Sequence, residues 1–140
     1  MKSVVADAYK FVDDAASGPK FDIVIMDLNY EEENINLSPP QKFLETEFLD
    51  KLVKLSTQDG LVAFNLLCME KELLSLTYNK ILSSSAEGKY LIEGEEDANK
   101  VIVLTRKQAV SEDDRQTQME KLLKEFGLNK GLWLTEMRIK

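Results

Sequence analysis

Asp27 closes the run Phe21-Asp22-Ile23-Val24-Ile25-Met26-Asp27, and upstream Asp7 closes a shorter one, Val4-Val5-Ala6. A carboxylate at the end of an apolar, β-branched run can do chemistry. Such a run suits a strand covered on both faces, as in a parallel sheet. Ligands of open α/β sheets bind beyond the carboxyl ends of those strands. Asp27 would sit there, although the same position also suits an Asx-turn. Asp7 precedes a helical stretch and fits an N-cap. The chain has no histidine and one cysteine, Cys68. Zinc sites and histidine-based triads are therefore excluded, and no internal disulfide can form. A lone thiol suits a reducing, cytoplasmic setting.

The elements that must position these acids follow from periodicity. Val4-Val5-Ala6 reads as the end of a strand, and Asp7 to Ala16 as a helix with Ala8, Phe11, Val12 and Ala15 on one face. Ser17-Gly18-Pro19 stops it. After strand 21–27 comes a polar loop from Asn29 to Ser38. Ser38-Pro39-Pro40 has the pattern of a helix start. Leu44, Phe48, Leu52 and Leu55 then form one apolar stripe within Gln41 to Leu55. Thr57-Gln58-Asp59-Gly60 reads as a turn before a second buried strand, 61–67. Glu70 to Leu82 is helical in period through Leu74, Tyr78, Ile81 and Leu82.

Strands 89–92 and 101–105 are joined by a link too short for a helical crossover, which predicts an antiparallel hairpin. Ser111 to Gly127 reads as a capped helix with Met119, Leu122, Leu123 and Phe126 inward. Leu132-Trp133-Leu134-Thr135 fits a closing strand or a tail packed on the core. Trp133 and Cys68 read as core side chains. The 140 residues suit one domain over 1–140, and a 44% hydrophobic share is enough for a real core. No run nears the ~20 apolar residues of a membrane helix.

The net charge of −7 argues against binding nucleic acid phosphates. The acidic loops Glu31-Glu32-Glu33 and Glu93-Gly94-Glu95-Glu96-Asp97 would attract a basic protein surface, and they equally suit plain solvated loops. They lack the alternating ligands of an EF-hand. Asn65, inside an otherwise apolar strand, must find a partner.

The order of elements resembles the second half of a class I S-adenosylmethionine-dependent methyltransferase, an α/β Rossmann-like sheet whose last strand returns antiparallel. The wording is similar to the spermidine-synthase-like branch. Val5-Ala6-Asp7-Ala8 with Phe11 matches its "GDA…F" segment, and 21–27 its "YDVIIxD" strand. Phe43, Phe48 and Leu49 match its "LF…EFY/L" helix, and Gln58-Asp59-Gly60-Leu61-Val62 its "PGG-V" turn. Within that branch, Ser38-Pro39-Pro40, Phe64-Asn65-Leu66-Leu67-Cys68 and Ile92-Glu93-Gly94-Glu95 resemble methyltransferase-like proteins that modify translation elongation factor 1-alpha.

The resemblance implies S-adenosylmethionine as cofactor and a protein amine, a lysine or an N-terminus, as methyl acceptor. It implies that Asp7 and the Ala8 amide hold the adenine. Asp27 would serve both cofactor and catalysis, and Leu28, Asn29 and Tyr30 would form the acceptor pocket. The family's glycine-rich cofactor loop has no counterpart, because no two of the six glycines are spaced G-x-G. That implies a partial domain that is inactive alone. A silent scaffold module and an aminopropyltransferase are the alternatives. The last is weakened because Leu28-Asn29-Tyr30 does not match an acidic "D-S-x-D-P" segment. With nothing upstream to flank strand 21–27 except Val4-Val5, its edge is expected to self-associate, to take a partner's strands, or to be covered by rearrangement.

Overall fold

The computed structural model describes residues 3–29, 37–94 and 99–107, the backbone of 132–136, and helical backbone at Asp113, Thr117, Glu120, Lys121, Lys124 and Glu125. Tyr30, the Glu31–Glu33 run, Glu95 to Asp97 and the stripe Met119, Leu122, Leu123 and Phe126 lie outside the described residues.

The elements run α1 (Ala8–Ala15), β1 (Phe21–Met26), β2 (Leu37–Ser38), a 3-10 turn (Gln41–Leu44), α2 (Thr46–Leu55), β3 (Ser56–Cys68), α3 (Lys71–Leu82), β4 (Gly88–Gly94), β5 (Asn99–Thr105) and β6 (Leu132–Glu136). The sheet order is β1-β3-β5-β4-β6, with β2 also pairing to β3. β1 and β3 run parallel and side by side, Ile23 opposite Leu61 and Met26 opposite Phe64. Every other pairing among the described residues is antiparallel. The hairpin β4–β5 forms as its short link requires. Leu132 to Glu136 is the closing strand, paired to β4.

One sheet face carries the core. Val62, Phe64 and Leu66 alternate on β3, with Met26 and Val24 beside them on β1 and Ile102 and Leu104 on β5. Val12 of α1, Leu44 of the 3-10 turn with Phe48, Leu52 and Leu55 of α2, and Ile81 of α3 bury against this face. The stripe is buried throughout, as its spacing requires. α2 also sends Leu49 and Val53 inward. Tyr9 of α1 packs its ring on Phe48 (4.5 Å) and Phe43 (5.6 Å), and its hydroxyl donates to the Lys42 carbonyl at 3.2 Å. Such pairs add about 0.5–1.5 kcal/mol beyond area burial. Lys51 on α2 bridges Asp13 of α1 (2.9 Å) and Glu47 (3.2 Å). The Asp13 and Glu47 carboxylates hold its ammonium above the usual lysine range. These contacts fix α1 on α2.

Four expectations change. Val4-Val5-Ala6 is not a strand: the segment is irregular and exposed, and no strand among the described residues pairs with it. β1 is not covered on both faces, since Ile23 and Ile25 are exposed. Thr57 to Gly60 belongs to β3, as a bulge. Phe21 pairs with Ser56 and Ile23 with Leu61, so the intervening residues loop out while pairing resumes. Ser38-Pro39-Pro40 does not start α2. Ser38 lies in β2, Pro40 precedes the 3-10 turn, and α2 opens at Thr46. Among the described residues no helix is long and apolar enough to cross a membrane.

Candidate functional site

The cleft beside β1 begins with α1. Asp7 is its N-cap, Oδ1 accepting from the Lys10 amide at 3.1 Å. This satisfies one of the helix's orphan donors. The second carboxylate oxygen remains available, and the Ala8 amide, at the first helical position, has no partner within the helix. β1 then delivers Asp27 one residue past its end, exposed.

Between these points lies an open cleft of about 560 Å³. Val4, Ala6 and Ala8 line it, together with Ile23, Ile25 and Asp27 of the β1 segment. Phe48, Leu52 and Leu55 of α2 also border it. The volume lies within the range of small-molecule sites. Among the described residues Asp27 is the only charged one in the lining, so it can order a polar group at the rim of an apolar wall.

The loop leaving Asp27 is tied down locally. Ser38 Oγ lies 2.9 Å from the Leu28 carbonyl and 3.0 Å from Asn29 Oδ1. A hydroxyl has one hydrogen, so it donates to one of them at a time. β2 pins the far side of this loop to the end of β3, Leu37 opposite Cys68 and Ser38 opposite Leu67. Leu28 and Asn29 are thereby held beside Asp27.

Of the residues anticipated from the sequence, Asp27, Ala8 and Leu28 line one cleft. Asp7 adjoins it through Ala6 and Ala8 but is not in the lining, and Asn29 is exposed on the anchored loop. Tyr30 lies outside the described residues. Sequence reasoning missed the α2 wall, Ser38 and Tyr9. Phe48 and Leu52 were read only as part of a buried stripe, which does not tell a core wall from a cleft wall. Ser38 and Tyr9 carried no signal, since their partners are distant in sequence. Asn65 finds its partner: Nδ2 donates to Asn99 Oδ1 at 3.3 Å, across β3 and β5. It is structural, away from the cleft. Cys68 is half-buried, its thiol directed at the Glu70 carbonyl at 3.4 Å. Among the described residues no three Cys, Asp or Glu side chains converge as metal ligands.

No protein-family profile matches the chain. The human eEF1A lysine and N-terminal methyltransferase is 29% identical over 75 residues, covering 50% of this chain and 11% of that protein. The crystal structure of human methyltransferase-like protein 13 in complex with SAH superposes with a TM-score of 0.77 at 21% identity. It covers 95% of this chain, and this chain spans 62% of its length. A probable spermidine synthase from Corynebacterium glutamicum superposes at 0.65 and 16% identity, with 96% of this chain and 48% of that one covered. The fold is that of an S-adenosylmethionine-dependent methyltransferase. This chain spans a small part of its curated relative and under two thirds of each solved neighbour.

Proposed function

We propose that this chain is the acceptor-side portion of an S-adenosylmethionine-dependent protein methyltransferase, acting on a lysine side chain or an amino terminus. One observation carries the reading. Asp27 stands at the carboxyl end of the parallel pair β1–β3, at the rim of an apolar cleft, in a fold of this class. The name of the human relative, an eEF1A lysine and N-terminal methyltransferase, supports the choice of a protein amine.

The bound cofactor would supply an activated methyl group on a sulfonium. The chain's own residues then have three tasks. Asp7 and the Ala8 amide would hold the nucleoside end, the free Asp7 oxygen accepting from an exocyclic amine. Asp27 would orient the acceptor amine and take up its proton, so that the nitrogen lone pair faces the methyl group. Leu28 and Asn29, held by Ser38, would wall the acceptor and limit water. These residues fit the group only in part: no glycine pair spaced G-x-G is present among the 140 residues to let the chain's backbone approach the cofactor closely. The chain alone is therefore expected to bind weakly and to transfer no methyl group.

Amide NMR during titration with S-adenosylmethionine tests this. Perturbations at Asp7, Ala8, Asp27 and Leu28, reduced in Asp7→Ala, are expected. Perturbations scattered elsewhere, or none at millimolar ligand, would remove the reading and favour a silent interaction module. The likeness to a spermidine synthase supports a second reading, aminopropyl transfer. Stronger perturbation by decarboxylated S-adenosylmethionine than by the parent compound would favour it.

A further inference from the structure

Methyl transfer needs two separate elements to stand in register. In the proposed reaction, Asp7 and Ala8 of α1 take the nucleoside, while Asp27 to Asn29, beyond β1, meet the acceptor. Reacting atoms must come within about 3–3.5 Å, and a misplacement of about 1 Å can cost ~100-fold in rate. The covalent path between the two ends runs down α1 and back along β1. A shorter path crosses through Tyr9.

Tyr9 follows Ala8 directly. Its ring stands on Phe48 and Phe43, which are 1% and 6% exposed, so its base is fixed. Its hydroxyl donates to the Lys42 main-chain carbonyl in the 3-10 turn. The Phe43 amide closes that turn by donating to the Pro40 carbonyl at 2.9 Å. Pro39 and Pro40, each with its φ fixed by the ring, join the turn to Ser38. Little slack remains between Lys42 and the Ser38 hydroxyl, whose contacts reach Leu28 and Asn29. α1 does not need the phenol for attachment. Val12 is buried beneath it, and the Lys51–Asp13 pair ties it to α2. The 3.2 Å bond is longer than the ~2.8 Å usual between oxygens, so the ring carries the packing and the hydroxyl adds alignment.

We propose that Tyr9 is a positioning residue that links the nucleoside end of the site to the acceptor loop, through the Lys42 turn and the Ser38 clasp. This rests on the nucleoside-holding role proposed for Asp7 and Ala8. Occupancy at those residues then alters Asn29, which lies outside the lining of the cleft. A tyrosine that only seats α1 would leave Asn29 unmoved. Coupling is demonstrated when a cut in the path changes what its far end does.

Amide NMR of the 140-residue chain titrated with adenosine tests this. Adenosine carries the nucleoside and neither a sulfonium nor an amino acid part. In the native chain, shifts are expected at Asp7 and Ala8 and also at Ser38 and Asn29, neither of which lines the cleft. Tyr9→Phe keeps the ring and its packing, so circular dichroism and the Asp7 and Ala8 responses should be retained. The Ser38 and Asn29 responses should fall about twofold or more. A second comparison needs no ligand. Tyr9→Phe should shift the Asn29 amide in the native background and not in Ser38→Ala, where the clasp is gone. Far responses undiminished in Tyr9→Phe, or near responses without far ones, would overturn the proposal. Silence at Asp7 and Ala8 would instead remove the nucleoside assignment, and the ligand-free comparison then decides alone. No Asn29 shift there, or the same shift with and without the Ser38 hydroxyl, would overturn the link.

Discussion

β3 and β1 are written in nearly the same residues, yet they end in opposite surroundings. Leu61 to Leu67 and Phe21 to Met26 are both apolar, β-branched or aromatic runs, and they lie side by side. On β3, Leu61 and Ala63, which lie beside Ile23 and Ile25 on the same face, are half-buried. On β1, Ile23 and Ile25 are mostly exposed. The difference is in what flanks each strand. β3 has β1 on one side, β5 on the other, and α2 and α3 against its inner face. β1 has a neighbour on one side only. Composition reports how much burial a strand can use, and its neighbours decide how much it receives.

The sharpest way to break this comparison is to truncate one side chain in each strand. Phe64→Ala opens a cavity beneath α2 and should cost about 3–5 kcal/mol. Ile25→Ala should change stability by no more than about 0.5 kcal/mol. Urea unfolding with the slope held common measures both. Equal costs would mean that the outer face of β1 is covered within the single chain.

The seam between the two strands gives the next effect. Gly60 sits in the bulge where pairing skips from Phe21–Ser56 to Ile23–Leu61. A Cβ there would lie 2.8 Å from the Asp22 carbonyl oxygen, 2.9 Å from that of Phe21, and 2.8 Å from Thr57 Oγ1. The Thr57 hydroxyl could move, giving up its 3.1 Å bond to Asp22 Oδ1, but the two carbonyls belong to β1 itself. Gly60→Ala should therefore cost about 1–3 kcal/mol by pushing the strands apart. Thr57→Ala in the same chain should recover little of it. Full recovery would place the strain on the hydroxyl and not on the strand seam.

A smaller effect separates structure from site at the rim. Asp7→Ala removes the α1 cap and should cost about 1 kcal/mol, while Asp7→Asn keeps an acceptor and should cost much less. Thermal unfolding by circular dichroism distinguishes them. An Asn variant as unstable as the Ala variant would mean that the negative charge matters more than the cap.

What the sequence made legible follows the same division. Every helix with a wide apolar stripe on a buried face, above all Leu44, Phe48, Leu52 and Leu55, could be read because period alone fixes which side faces the sheet. The parallel pairing of β1 with β3 and the antiparallel β4–β5 hairpin followed from link lengths. The open edge of β1 was anticipated from the lack of an upstream strand, but the exposure of its outer face was not, because an apolar run looks the same whether or not that face is covered. Val4 to Ala6 had strand residues but no partner, so propensity found nothing to act on. Thr57 to Gly60 carried true turn residues. The turn became a bulge because Ser56 had already paired with Phe21. At the cleft, the position of Asp27 was legible from the strand-end rule. The clasp of Ser38 on Leu28 and Asn29, and the Tyr9 ring that seats α1, depend on contacts the chain makes only after folding.

The last effect shows only at high pH and lies on the well-covered side, at Tyr78 of α3. Burial first, then the negative charge of Glu93 and the nearby Cys68, push its phenol up to about 12 from a usual value near 10. The phenolate is disfavoured in the folded state, so folded protein keeps a proton that unfolded chain loses. The stabilisation is fully present below pH 10 and is lost as pH rises from about 10 to about 12. Lys89 acts in the opposite sense and earlier. Burial lowers its pKa, partly offset by Asp50, so its contribution rises as pH approaches the usual lysine value. Unfolding free energy should therefore fall with pH above 10 in the native chain and fall less steeply in Tyr78→Phe. The difference at 295 nm between the two proteins should titrate near pH 12. A difference curve centred at 10 would mean that α3 leaves this ring in water, and the covered half of the sheet would then be less closed than the edge comparison requires.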